Sequence, residues 1–176
     1  MNKQAPYRLE YKIPKEPKDI KKFLDTIVED ISKECVLTPL VANKFRFIIT
    51  ELCTNYIKHV NVRDGKFSIE AYDNSFIKIT GHYGQHSFKP VLEEKITFDQ
   101  LNNITEIFFT ETNNHYIEVL ANNKIRFLDP LKLGLHSESL KDHFGLHIIT
   151  ICSEEFCFEF DEYGESEQFT VIIKCV

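Results

Sequence analysis

Tryptophan is absent from the chain, methionine occurs once, and glycine and proline number only six each in 176 residues. So few chain breakers exclude a collagen-like or Pro/Gly-rich disordered protein. No window approaches ~18 uninterrupted apolar residues, so no membrane-spanning helix is expected, and Met1-Asn-Lys-Gln-Ala-Pro6 lacks the apolar run of a signal peptide. A cytoplasmic protein without a membrane partner is the expectation. Basic residues are also in deficit. With 21 Lys and Arg against 27 Asp and Glu, the net charge is -6, which argues against a broad nucleic-acid footprint. There is no Cys-x-x-Cys pair. Cys35, Cys53, Cys152, Cys157 and Cys175 are scattered, mostly within apolar runs, and read as small core residues in a reducing compartment. The seven histidines show no ligand spacing with a cysteine or carboxylate, so they read as surface or satisfied core side chains.

Apolar side chains are plentiful. Hydrophobic residues make up 43% of the chain and fifteen of them are Phe, enough for a folded core in one domain over residues 1–176 without metal or disulfide staples. Tyr7, Leu9, Tyr11 and Ile13 alternate with charged residues, the period of a half-buried strand ending at Pro14. Ile20, Phe23, Leu24, Ile27, Val28 and Ile31 recur at helical spacing between about 17 and 34. Thr38-Pro39 reads as an N-cap and first helical residue. Asp64-Gly65 breaks the chain before a hairpin with strands near 66–72 and 75–81 around Asp73-Asn74.

Residues 88–114 are less periodic; Leu92, Ile96, Phe98, Leu101 and Ile104 suggest a short helix, and Ile107-Phe108-Phe109 carries no clear period. A second hairpin joins 116–120 to 124–128, residues 131–142 read as a surface loop, and 144–153 as a buried helix. Strands over 155–160 and 169–174 close the chain. This order predicts an α+β fold, a two-layer α/β sandwich whose mostly antiparallel mixed sheet carries its helices on one face.

The most informative stretch is Glu51-Leu-Cys-Thr-Asn55-Tyr-Ile-Lys58-His59. Glu51, Asn55 and His59 fall at i, i+4 and i+8, one stripe of the helix, with Lys58 beside them. Phe45, Ile48, Ile49, Leu52, Tyr56 and Ile57 form the opposite, apolar stripe. An amide oxygen is a hard ligand for Mg²⁺, an ammonium meets phosphate oxygens, and a carboxylate can orient or deprotonate an attacking group. A partly solvated helix face with ordinary i, i+4 contacts is the alternative reading of the same side chains.

The pattern Glu-Leu-x-x-Asn-x-x-Lys-His resembles the N box of the GHKL ATPase superfamily, and the element order is similar to that of its stand-alone anti-sigma-factor serine kinases. The resemblance implies ATP and Mg²⁺ as cofactors, Asn55 as the Mg²⁺ ligand, Lys58 and His59 as phosphate contacts, and Glu51 as the group polarising the attacking water or hydroxyl. The family's second box, Asp-x-Gly-x-Gly, corresponds to Thr80-Gly81-His82-Tyr83-Gly84, where Gly81 stands at the position of the adenine-reading aspartate. A glycine-bearing strand end and a degenerate nucleotide pocket both fit that stretch. The third box, Gly-x-Gly-Leu, corresponds to His143-Phe144-Gly145-Leu146, with one glycine replaced by His143. Free N–H groups of a helix starting there would hold phosphates, or Asp142 would simply cap it.

The span between the two boxes is longer than the lid the family leads one to expect, which implies an insertion around 88–130. The expected function is an ATP-binding regulatory domain acting on a protein partner, a sigma factor or an antagonist of one, with serine-kinase activity and a homodimer among the options. The alternative is a pseudo-ATPase that keeps the scaffold as a protein-interaction module.

Overall fold

The computed structural model describes residues 7–59, 65–72, 75–83, 88, 92–96, 98, 101–110, 113–135, 144–161 and 166–175. Among the described residues, eight strands and three α-helices occur in the order β1 (Tyr7–Lys12), α1 (Ile20–Glu34), α2 (Pro39–His59), β2 (Lys66–Tyr72), β3 (Phe76–Tyr83), β4 (Ile104–Thr110), β5 (Asn113–Ala121), β6 (Lys124–Leu128), α3 (Gly145–Cys152), β7 (Glu155–Phe160) and β8 (Glu167–Lys174), with a short 3-10 turn at Pro17–Asp19 before α1. The strands form one sheet in the order β1-β2-β3-β8-β7-β6-β5-β4. The fold is α+β, as expected, but every pairing among the described residues is antiparallel, where a mixed sheet was expected. At the start of the chain the reason is visible. The two helices α1 and α2 make an out-and-back excursion that returns the chain to the end where β1 stopped, and the Ile13 N–H donates to the Gly65 carbonyl at 2.9 Å. The next strand must then run antiparallel.

Strand alternation sends one set of side chains to the core: Leu9, Ile69, Ile79, Val171, Phe156, Phe127 and Ile117 line up in register across seven strands. The other face carries ion pairs such as Lys124 to Glu159 at 3.2 Å and Arg126 to Glu118. Against the apolar face lie α1, through Ile20, Leu24, Ile27 and Ile31, and α2, through Val41, Phe45, Ile48, Ile49, Leu52, Cys53 and Tyr56. Thr38 Oγ1 accepts from the Val41 N–H at 3.3 Å, so the cap read from the sequence starts α2. The Tyr11 hydroxyl donates to Asp30 at 2.9 Å and ties β1 to α1.

Two sequence expectations are corrected. Ile104 belongs to β4 rather than to a helix begun at Leu92, where the described residues show helical turns only at Leu92 and Glu93. β4 then extends the 116–128 hairpin into a three-stranded meander. The cause is the position of β4 at the sheet edge: Ile104 and Phe108 point away from the core and stand exposed, which erases the polar half of the strand pattern. β8 also begins two residues earlier than expected, because Glu167 is buried on the core face and accepts from the Phe88 N–H at 2.9 and 3.1 Å. All five cysteines are free, four of them buried. Among the described residues no helix is long and apolar enough to cross a membrane.

Candidate functional site

The buried stripe of α2 fixes where its polar stripe points. Glu51 and Asn55 are partly buried, and Lys58 and His59 stand exposed in the last turn, where basic groups suit the negative end of the helix dipole. The partner surface is α3, whose short apolar sequence packs one side on the core through His147, Ile149 and Thr150. The chain enters α3 at Phe144, already helical at φ -64 and ψ -11, and its side chain makes no cap hydrogen bond. Among the described residues, its first N–H groups are without a side-chain cap of the kind that usually closes a helix start.

At that point the two helices touch. A Cβ added to Gly145 would lie 2.7 Å from Glu51 Oε2, 3.5 Å from Asn55 Oδ1 and 3.6 Å from Asn55 Nδ2. A side chain at residue 145 would have to displace the Glu51 carboxylate, so glycine there lets the carboxylate and amide of a helix distant in sequence approach the start of α3. Three of the residues singled out in the sequence are thus brought to one place: Glu51, Asn55 and Gly145. Burial raises the Glu51 carboxyl above its ordinary range, and the Lys58 ammonium two turns on opposes part of that rise. A partly desolvated carboxylate beside an amide and a helix start is an arrangement that can hold or move a proton and can contribute oxygen ligands to a hard cation. Cys53, on the buried side of α2, is unsuited to chemistry, since burial pushes its thiol up to about 12.

The remaining residues divide. Leu146 is half-buried and packs against the hydrophobic core, its carbonyl accepting from Thr150 Oγ1 at 2.7 Å, so only its backbone N–H belongs to the helix start. Gly84, Asp142 and His143 lie outside the described residues. Gly81 faces the core in β3, between Phe67 and Phe169 in register. A Cβ there would meet Phe67 Cε1 at 3.1 Å and the Tyr83 hydroxyl at 3.4 Å. Tyr83 packs its ring on Tyr56 and Phe169 at 5.4 and 5.3 Å, and its buried hydroxyl has no hydrogen-bond partner among the described residues. Aromatic groups thus close in on residue 81.

Among the described residues there is no group of three or more His, Cys, Asp or Glu able to hold a metal ion. One polar pair leaves no trace in the sequence pattern. His115 in β5 and His147 in α3 are both buried and stack with ring centroids 4.0 Å apart. Their spacing is long-range, and His147 reads locally as one more side chain of an apolar helix. A shallow cleft also lies at the far end of α3, lined by Arg126, Asp129, Lys132, Thr150 and Glu154 among others. Its mixed charges favour neither an anion nor a cation.

Comparison with protein-family models finds no match, and comparison with curated proteins finds none either. What defines the protein is therefore its own geometry: a two-layer α+β domain with a polar junction between two helices on one face of an antiparallel sheet.

Proposed function

We propose that this chain is a GHKL-type regulatory domain that binds the Mg²⁺-phosphate end of ATP at the α2–α3 junction and acts on a protein partner. The observation that carries the reading is the fit of Gly145 against Glu51 and Asn55, which brings the N-box stripe and the third-box helix start to one point. Asn55 offers its amide oxygen to Mg²⁺, Lys58 and His59 supply positive and donor groups for phosphate oxygens, and the N–H groups of Gly145 and Leu146 complete the cradle. Glu51 is the base, its proton affinity raised by burial above that of an ordinary carboxylate. Bound Mg²⁺ would supply charge neutralisation for phosphoryl transfer to a serine of the partner, a sigma factor or an antagonist of one. The test is calorimetry and thermal unfolding with Mg-ATP. At ~100 times its dissociation constant the ligand contributes about 2.7 kcal/mol, a rise of roughly 5 to 10 °C in Tm for a domain of this size. No heat and no shift at millimolar Mg-ATP would overturn the reading.

A second reading has its own support. The enclosure of Gly81 by Phe67 and Tyr83 favours a pseudo-ATPase that keeps the scaffold for partner binding and has lost the base pocket. It requires partner binding to survive Asn55→Ala without any added nucleotide, and to be unchanged when Mg-ATP is supplied.

A further inference from the structure

His115 projects from the core face of β5, in line with Ile117 and Val119, and is 3% exposed; His147 projects from α3 and is 4% exposed. Their rings stack at 4.0 Å with an interplanar angle of 23°. Around His115 stand Phe109 of β4 at 5.3 Å and Phe127 of β6 at 6.0 Å, both edge-on. The Nε2 atoms of both histidines are buried without a hydrogen-bond partner among the described residues. The backbone of Asn114 lies against His147 and favours its protonated form, opposing part of the larger effect of burial. A second proton would place an N–H on the orphan Nε2 and a full charge against the other imidazole. The charged group facing His147 is Asp129, just after β6, and the titratable group facing His115 is His147 itself. One carboxylate offers partial relief to one ring and little to the other.

We infer that the His115–His147 stack is a proton-sensitive latch: with both imidazoles neutral it docks α3 on the sheet, and protonation releases α3 from β5. Burial keeps both imidazoles below their ordinary range, His115 at about 3. A histidine that charges more readily unfolded than folded stabilises the fold fully above its unfolded pKa of about 6.5, and that contribution is lost as pH falls through the window below it. Well below pH 6.5 each such histidine reduces the folding equilibrium constant about tenfold per pH unit. Because α3 begins at Gly145, its release also separates the helix start from Glu51 and Asn55. The latch does not depend on the nucleotide reading, whereas this last consequence does.

The experiment is an NMR titration of the imidazoles in the intact protein. It is paired with denaturant unfolding between pH 7 and 5.5 of the parent, His115→Leu and His147→Leu, and with hydrogen exchange of α3. Both imidazoles should titrate below the ordinary histidine range in the folded state, His115 the lower, α3 amides should lose protection first on acidification, and each Leu variant should lose up to about a tenfold-per-pH-unit share of the parent's acid slope, the rest of which comes from other groups such as His82. Titration of both rings near pH 6.5, or one unchanged slope in all three proteins, overturns the inference. Should a Leu variant fail to fold, the titration and exchange of the parent decide alone.

Discussion

Replacing Gly145 by Ala tests the α2–α3 junction with one methyl group. The new carbon would stand 2.7 Å from Glu51 Oε2 and 3.5 to 3.6 Å from the Asn55 amide. The first distance is well inside the ~3.5 to 4.0 Å of comfortable non-bonded contact, and the others are acceptable. The atom in the way is the end of a flexible side chain, so the carboxylate should swing aside while the backbone stays. Forcing Glu51 off its favoured rotamer costs about 0.5 to 1.5 kcal/mol. Ala in place of Gly returns up to ~1 kcal/mol of helix propensity, less at a first helical position. Net stability should thus change by no more than about 1 kcal/mol, a Tm shift within ~4 °C. Function should respond more strongly. With Glu51 displaced and a methyl beside Asn55, Mg-ATP affinity should fall at least about tenfold, or ~1.4 kcal/mol. Calorimetry and thermal melts on the same preparation read both quantities. A stable variant that binds Mg-ATP as well as the parent would refute the shared site, and a loss above ~3 kcal/mol would show that Glu51 is rigidly held.

The other expectations separate chemistry from structure. Because the Glu51 carboxyl holds its proton more tightly folded than unfolded, stability should fall as pH rises above about 4.5, and Glu51→Gln should remove that slope, gain stability at neutral pH, bind Mg-ATP and lose turnover; denaturant unfolding from pH 4.5 to 7 checks the first part. Asn55→Ala should bind ATP equally with and without Mg²⁺, a comparison calorimetry makes directly. Tyr56 accepts from the buried Gly65 N–H at 2.7 Å, so Tyr56→Phe should cost about 1 to 3 kcal/mol by chemical unfolding. Gly81→Asp should destabilise by more than ~2 kcal/mol without sharpening selection of ATP over GTP, since its carboxylate would be buried against Phe67; tighter, more selective ATP binding would show that the aromatic enclosure had been misjudged.

The elements legible in the sequence are those whose burial is one-sided and local. α1 and α2 announce themselves because Ile20, Leu24, Ile27 and Ile31, and Phe45, Ile48, Ile49 and Leu52, are buried while the residues between them are not. β4 was hidden because a strand at the sheet edge can expose Ile104 and Phe108 and still bury Ile107, so no alternation survives. The start of β8 was hidden by the opposite effect. Glu167 looks like part of an acidic turn, yet its carboxylate is 1% exposed and satisfied by the distant Phe88 N–H. A buried charge whose partner lies far along the chain leaves no periodic trace.

The same distinction runs through the candidate site. The Glu51, Asn55 and His59 stripe could be read because helical spacing is a local rule, and the fit of Gly145 follows only once a second helix lies across that stripe. Under the proposed function, local legibility also explains why the two ends of a nucleotide would fare differently here. The phosphate end depends on one helix stripe and one helix start, and both are present with a glycine at their contact. The base end depends on a single side chain projecting from β3, and at Gly81 that projection is missing while Phe67, Tyr83 and Phe169 crowd the space. Phosphate and Mg²⁺ contacts carry affinity with little regard to the base, whereas a buried hydrogen bond to the adenine amino group carries selectivity. A domain built this way should therefore discriminate poorly among nucleoside triphosphates while still requiring Mg²⁺. Equal affinity for Mg-ATP and Mg-GTP, lost together in Asn55→Ala, is the pattern expected in a competition assay; strong preference for ATP in the parent would mean that a group other than residue 81 reads the base.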